Sequence, residues 1–374
     1  RMKTLSVIGT RPEAIKMAPV VRLLAATPGV ESVVAVSGQH RSMLEQVLNL
    51  FHIQPEYDLS VMAQGQSLNS LSARILQGMD ELLEKVQPDQ VLVHGDTTTA
   101  MAAAMAAFHR HIPVVHVEAG LRTGSLTEPW PEEMNRRVID VMADLLLAPT
   151  EKAKANLLAE NLQGRIHVVG NTVIDALQWV AQRLEKDAAL QERVDAGLPR
   201  IAEGKRMVLL TSHRRENHGD GLAHICDAVT ELVAGGEVEV VYPVHLNPLV
   251  KDVVQQRLGH VAGVHLIVPQ DYVGFVRLMQ RAFFVLTDSG GVQEEAPALG
   301  KPVLLLRDVT ERPSVVEAGV VKLVGTDRQR IVSAANALLH DEAAYQRMTQ
   351  AAHPYGHGDA SEQIVKILLA AKAV

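Results

Sequence analysis

Short runs of β-branched and aliphatic residues recur along the chain, each followed by a longer stretch whose apolar positions repeat every three to four residues. A run of four to six apolar residues fits a strand buried on both faces, and the longer period fits an amphipathic helix. Their alternation predicts βα units and parallel sheets. Strands are expected near 5–8, 33–37, 91–94, 114–117, 145–148 and 166–169, and in a second series near 207–211, 238–242, 264–268, 284–287, 303–306 and 321–324. The expected fold class is α/β, with two Rossmann-like, doubly wound domains facing a central cleft.

Between the two series, 177–205 is charged and mostly helical in pattern, and its Gly197-Leu198-Pro199 and Gly204 read as a connection. The expected domains are 1–170 and 171–359. Helix 360–374, which follows the breaker Pro354-Tyr355-Gly356-His357-Gly358, is expected to rejoin the first. No short repeat or low-complexity tract points to a solenoid or linker array.

Composition narrows the function. The 374 residues are 47% hydrophobic but only 3% aromatic, so the core is aliphatic and aromatic platforms for stacking RNA bases are not expected. With 36 Lys and Arg against 43 Asp and Glu, the net charge of -7 gives no general attraction for nucleic acid or an anionic membrane surface. The lone Cys226 excludes an internal disulfide and fits a cytoplasmic protein. No apolar run is long enough to span a bilayer.

Ligands of doubly wound sheets bind beyond the carboxyl ends of the strands, and the polar motifs follow strands here. After the first comes Gly9-Thr10-Arg11-Pro12-Glu13-Ala14-Ile15-Lys16, a turn into a helix that offers backbone donors, Arg11 and Lys16 to an anion. It lacks the dinucleotide and Walker fingerprints. His94-Gly95-Asp96-Thr97-Thr98-Thr99 ends another strand, with Asp96 either a helix cap or a reacting carboxylate. Glu118 lies at the next strand end, and Glu132 and Glu133 follow Pro129-Trp130-Pro131 at a helix start. Carboxylates converging in this way can serve as acid and base.

In the second half, a strand runs into His213-Arg214-Arg215, cations suited to phosphate. Asp288-Ser289-Gly290-Gly291 joins a strand to a helix, leaving backbone N–H groups open to an anion, with Glu295 one turn on to accept from a ribose diol. The histidines show no zinc spacing, so no metal is expected.

Taken in order, GTRPEAIKMAP, HGDTTT, HVEAGLRTG, PWPEEMNR, GNTVIDAL, HRREN, YPVHLNP, TDSGGVQEEAP and TERP followed by EAG resemble the non-hydrolysing UDP-N-acetylglucosamine 2-epimerases of bacteria, which share the two-domain GT-B fold. The resemblance covers nearly the whole chain. It implies catalytic roles for Asp96, Glu118, Glu132 and His213. It implies substrate contacts from Arg11, Lys16, Gln270, Phe275, Ser289, Gly290, Gly291, Glu295 and Arg312, and a second, activating sugar-nucleotide site at Gln39, Arg214 and His245. Glu128 and Ser212 depart from the usual family residues without removing a reacting group, and Ser42 stands where some members have Gln. The implied ligands are UDP-N-acetylglucosamine, UDP-N-acetylmannosamine and UDP, handled without cofactor by a cytoplasmic homodimer that supplies sugars for cell-surface polysaccharide.

The chemistry agrees with the residues. Carbon 2 of the sugar is not next to a carbonyl, so its proton is removable only if carbon 1 is activated. Elimination and re-addition of UDP does this with carboxylates and cations alone. The alternatives are a GT-B glycosyltransferase, a hydrolysing epimerase and a non-enzymatic nucleotide-sugar sensor. Free UDP and turnover distinguish them.

Overall fold

A computed structural model describes residues 1–38, 41–212, 220–310, 312–350 and 355–373. Contacts divide the chain into two compact units, Arg1–Ala176 with Tyr355–Val374, and Leu177–Pro354. The division falls within helix Thr172–Lys186.

The sheet of the first unit has seven parallel strands: β1 (Met2–Ile8), β2 (Val30–Val36), β3 (Tyr57–Asp58), β4 (Gln90–His94), β5 (Val114–Val117), β6 (Leu145–Ala148) and β7 (Arg165–Val168), in the order β3-β2-β1-β4-β5-β6-β7. The second unit has six: β8 (Arg206–Thr211), β9 (Val238–Pro243), β10 (Val264–Ile267), β11 (Phe284–Thr287), β12 (Val303–Leu305) and β13 (Val321–Leu323), ordered β10-β9-β8-β11-β12-β13. Twelve of these strands lie where the apolar runs predict them. β3 was not expected, since its two residues pair only with Ala35 and Val36 at the sheet edge and carry no apolar run.

Both cores are mainly aliphatic, as the composition requires, with Tyr242 and Phe284 the buried aromatic rings of the second. In the first, Leu5, Val7, Val91, Val93 and Val114 meet helices Leu68–Val86 and Thr98–His109. The second of these helices buries Ala100, Ala102, Ala103, Ala104, Ala106 and Ala107, whose small side chains let it lie close to its neighbours. This holds its amino end firmly at the tip of β4. Helix Ala360–Ala373 packs on helix Arg11–Ala26 of the same unit, and the Ser361 N–H donates to Asp175 at 2.8 Å. In the second unit Val208, Leu210, Val240, Leu286 and Leu304 form the sheet's core layer under Ile225, Val229 and Ile331.

Candidate active site

In each sheet the strand order reverses at one place, between β1 and β4 and between β8 and β11, and the carboxyl ends of these pairs are the expected ligand positions. At the first, Gly9 leaves β1 against Thr99. A Cβ on Gly9 would stand 2.5 Å from Thr99 Oγ1 and 2.8 Å from its Cβ, so only glycine permits the approach. Thr10 and Glu13 form a capping box at the start of helix Arg11–Ala26. Buried Glu13 accepts from the N–H groups of Gly9 (2.9 Å) and Thr10, and from the Thr97 hydroxyl at 2.6 Å. One carboxylate thus ties the tips of β1 and β4. Arg11 has no hydrogen-bond or ion-pair partner among the described residues, whereas the Lys16 ammonium donates to Glu118 at 2.7 Å.

Glu118 immediately follows β5 with φ of 65°, a left-handed conformation that a glutamate seldom adopts without constraint from its surroundings. Its side chain is 13% exposed. Besides Lys16 it faces His94, whose buried Nε2 stands 3.6 Å away, too far for a hydrogen bond, and has no other partner among the described residues. Burial alone would raise the Glu118 carboxyl, but Lys16 and His94 pull it far below the ordinary range. Glu118 is held ionised.

Asp96 follows β4 and is not the helix cap. Thr97 caps helix Thr98–His109 through the Ala100 N–H, leaving the Asp96 carboxylate 32% exposed and 3.2 Å from the Arg136 guanidinium. Burial pushes its carboxyl upward, Arg136 opposes this, and the charges of Glu118 and Glu132 add to the rise. The structure therefore brings both Glu118 and Glu132 within electrostatic reach of Asp96 and drives the affinities of Asp96 and Glu118 for a proton apart. Glu132 opens helix Glu132–Met142 and is half-buried.

Glu133, its neighbour, has another role. Fully buried, it accepts from the Thr123 N–H (3.2 and 3.1 Å) and the Gly124 N–H (3.3 Å), and binds Arg136 at 2.6 Å and Arg137 at 3.1 Å. It holds the loop after β5 and aims Arg136 at Asp96. Burial would raise its carboxyl, but these donors keep it below the usual value.

His116, on β5 and without exposure, donates Nε2–H to the Gly95 carbonyl at 2.7 Å and bonds Asp140 through Nδ1. A carbonyl can only accept and an ionised carboxylate can only accept, so both ring nitrogens carry protons. Burial lowers the imidazole's proton affinity, but Asp140 outweighs it, and the net direction is upward. Arg122 closes the network on the other Asp140 oxygen at 2.7 Å. Gly95 precedes Asp96, so this buried chain fixes the turn that presents the carboxylate.

At the reversal point of the second unit, the hydroxyls of Thr211 and Thr287 meet across β8 and β11, and Ser212 donates to Asp288 at 3.0 Å. Ser289 caps helix Gly290–Ala298 without using its side chain, and a Cβ on Gly291 would lie 3.3 Å from Glu295 Oε1. Arg312 donates to Glu294 at 2.7 Å and, through its N–H, to Thr310, which binds Gln293. Gln270 and Phe275 flank the start of helix Tyr272–Arg281, where a Cβ on Gly274 would come 2.8 Å from Gln270 Oε1. His245 is exposed and accepts the Asn247 N–H. His213, Arg214 and Gln39 lie outside the described residues. Among the described residues, no group of three or more His, Cys, Asp or Glu is placed to hold a metal ion.

Sequence reading passed over Glu13, His94, His116, Arg122, Arg136 and Asp140. Glu13, His94, His116, Arg122 and Arg136 sit inside the quoted motifs, so their signal was available. Asp140 carried none, because it looks like any polar residue of an amphipathic helix.

A sequence model of the family UDP-N-acetylglucosamine 2-epimerase matches residues 22–369. The chain is 53% identical over 369 residues to the UDP-N-acetylglucosamine 2-epimerase of Salmonella typhimurium strain LT2, covering 98% of each. Among solved structures, it resembles the UDP-GlcNAc 2-epimerase of Neisseria meningitidis bound to UDP-GlcNAc, at TM-score 0.92 and 46% identity, over 98% of this chain and 100% of that one. It also resembles the Methanocaldococcus jannaschii enzyme in complex with UDP-GlcNAc and UDP, at TM-score 0.76 and 33% identity, over 98% and 99%.

Proposed function

The chain belongs to the UDP-N-acetylglucosamine 2-epimerase family and is an epimerase, and from that premise we propose how its residues interconvert UDP-N-acetylglucosamine and UDP-N-acetylmannosamine. Carbon 2 loses its proton to a side chain as the bond from carbon 1 to the UDP oxygen breaks, and the electron pair leaves with UDP. The unsaturated sugar then takes a proton on the opposite face of carbon 2 while UDP adds back to carbon 1. Inversion therefore needs a proton acceptor on one face and a donor on the other.

The observation that carries this reading is the opposed electrostatics of Asp96 and Glu118, since neighbouring carboxyls with separated proton affinities suit different roles. Asp96, pushed up and partly open, takes the carbon 2 proton. Glu118, held ionised by Lys16 and His94, stabilises positive charge developing at carbon 1. Glu132 is the third carboxylate within reach and serves the other face. In the second unit the N–H groups of Gly290 and Gly291, with the Ser289 hydroxyl, His213 and Arg312, hold the diphosphate, the Ser289 N–H being donated already to Thr287 Oγ1 at 3.0 Å, and in the first unit Arg11 offers a further cation to the substrate. Glu295 takes the ribose, and Gln270 and Phe275 complete the nucleotide site.

The homodimer, the activating site of Gln39, Arg214 and His245, the cytoplasmic location and the supply of sugars for surface polysaccharide belong to the same proposal. No helix among the described residues is long and apolar enough to cross a membrane.

Proton NMR of UDP-N-acetylglucosamine turned over in heavy water tests the mechanism. Deuterium should enter carbon 2 of both sugars, and Asp96→Asn should slow this entry about a hundredfold or more while UDP affinity is kept. Product formed without solvent deuterium would overturn the elimination route.

A further inference from the structure

The second unit carries a cavity of about 940 Å³ that the proposed reaction does not use. It lies at the amino ends of the strands, where Arg206 opens β8, Phe283 immediately precedes β11 and Lys301 stands just before β12. β8 has six residues, which puts this edge roughly 17 Å from the carboxyl ends that carry Ser212 and Ser289.

Five basic side chains line the cavity, Arg200, Lys205, Arg206, Arg281 and Lys301, against the carboxylates Glu192 and Asp195. Asp195 is already engaged. Arg277 binds its two oxygens at 2.8 and 3.0 Å, and Arg281 stands 3.6 Å away while donating to the Pro199 carbonyl at 2.7 Å. The Arg206 guanidinium lies 4.1 Å from the Phe283 ring centre, and that ring stacks on Tyr345 at 4.2 Å. These arginines are satisfied within the protein. Lys301 is not: half-buried, its ammonium has no hydrogen-bond or ion-pair partner among the described residues, and burial pushes its affinity for a proton down. Taking an ammonium partly out of water without a counterion is unfavourable, and an anion entering the cavity would relieve it. Arg200 and Lys205 stand exposed at the rim.

We propose that this cavity binds a small, multiply charged oxyanion of the phosphate or polyphosphate class, with Lys301 as its inner contact and Arg200 and Lys205 at its mouth. The volume suits a small molecule, and a concentration of positive charge in a chain of net charge -7 is a local feature rather than a general one.

Two measurements on the full chain, both in saturating UDP to occupy the proposed nucleotide site, test this. Calorimetry with inorganic pyrophosphate should show one equivalent bound, weakened about tenfold or more in Lys301→Met and largely kept in Lys301→Arg, with thermal melting of both variants like that of the parent. Pyridoxal phosphate, an anionic aldehyde, should condense with the Lys301 amine, releasing water. Borohydride reduction of the imine fixes the label for peptide mass mapping. Labelling of Lys301 should outpace that of the exposed Lys152 and be slowed by pyrophosphate. Equal labelling rates, no protection by pyrophosphate, or an unchanged pyrophosphate equivalent in a folded Lys301→Met variant would each overturn the proposal. If UDP fails to bind but Lys301 is still selectively labelled and protected, the epimerase mechanism falls and this site stands.

Discussion

Asp140→Asn removes the negative charge paired with the buried His116 imidazolium, while Arg122 keeps Glu160 at 2.7 and 3.0 Å. His116 and Asp140 are both without exposure, and Arg122 retains 7%. Breaking a buried pair from one side leaves the other charge uncompensated, at a cost of about 3–5 kcal/mol. For a unit of this size each kcal/mol moves the midpoint by roughly 2–4 °C, so the transition of the first unit should fall by about 6–20 °C. Calorimetry resolves it as a shift of one transition, with that of the second unit unmoved. The pH dependence gives a sharper check. The His116 proton affinity is raised by folding, so its contribution is complete below the unfolded value of 6.5 and drains as pH climbs through the higher native value. The affinity of Asp140 is lowered, so its contribution is present above the unfolded 3.8 and is lost as pH falls through the native value. The gap between parent and variant should be widest between those limits and narrow on both sides. A gap under about 1 kcal/mol at neutral pH, or one that widens in alkali, would show that His116 is neutral and refute the assignment of both its protons.

Glu132→Gln should lower turnover and leave melting nearly unchanged, whereas Glu133→Gln should lower both together, because it releases the Thr123–Gly124 loop and Arg136; parallel melting curves and rates decide this. Lys16→Met removes a cation that keeps Glu118 ionised, so the Glu118 carboxyl rises and turnover should fall, most of all at acid pH. A variant that keeps the parent's turnover across the whole pH–rate profile would remove Glu118 from the chemistry. Burial pushes the Cys226 thiol up to about 11, so it should resist a thiol reagent at pH 8 until denaturant is added.

The chain's periodicity determined the class of both units, because strands buried on two faces must be nearly continuous aliphatic runs and the helices between them must carry one apolar face. The motifs at strand ends singled out Asp96, Glu118 and Ser289 as candidates for the same reason: parallel sheets leave their carboxyl ends open to ligands. What a linear reading could not supply is which polar residue faces which. Asp96 looked as much a cap as a reactant until Thr97 took the capping bond. Glu132 and Glu133 are adjacent in sequence, yet the helix turns them about 100° apart, so one stays near the other carboxylates and the other is sealed under the β5 loop. The pairing of His116 with Asp140, and of Lys16 with Glu118 across 102 residues of chain, exists only after the sheet has brought β5 beside β4 and β6. Proton affinities depend on distances and burial, which are properties of the packed sheet and not of residue order, so the opposed shifts of Asp96 and Glu118 belong to the tertiary structure alone.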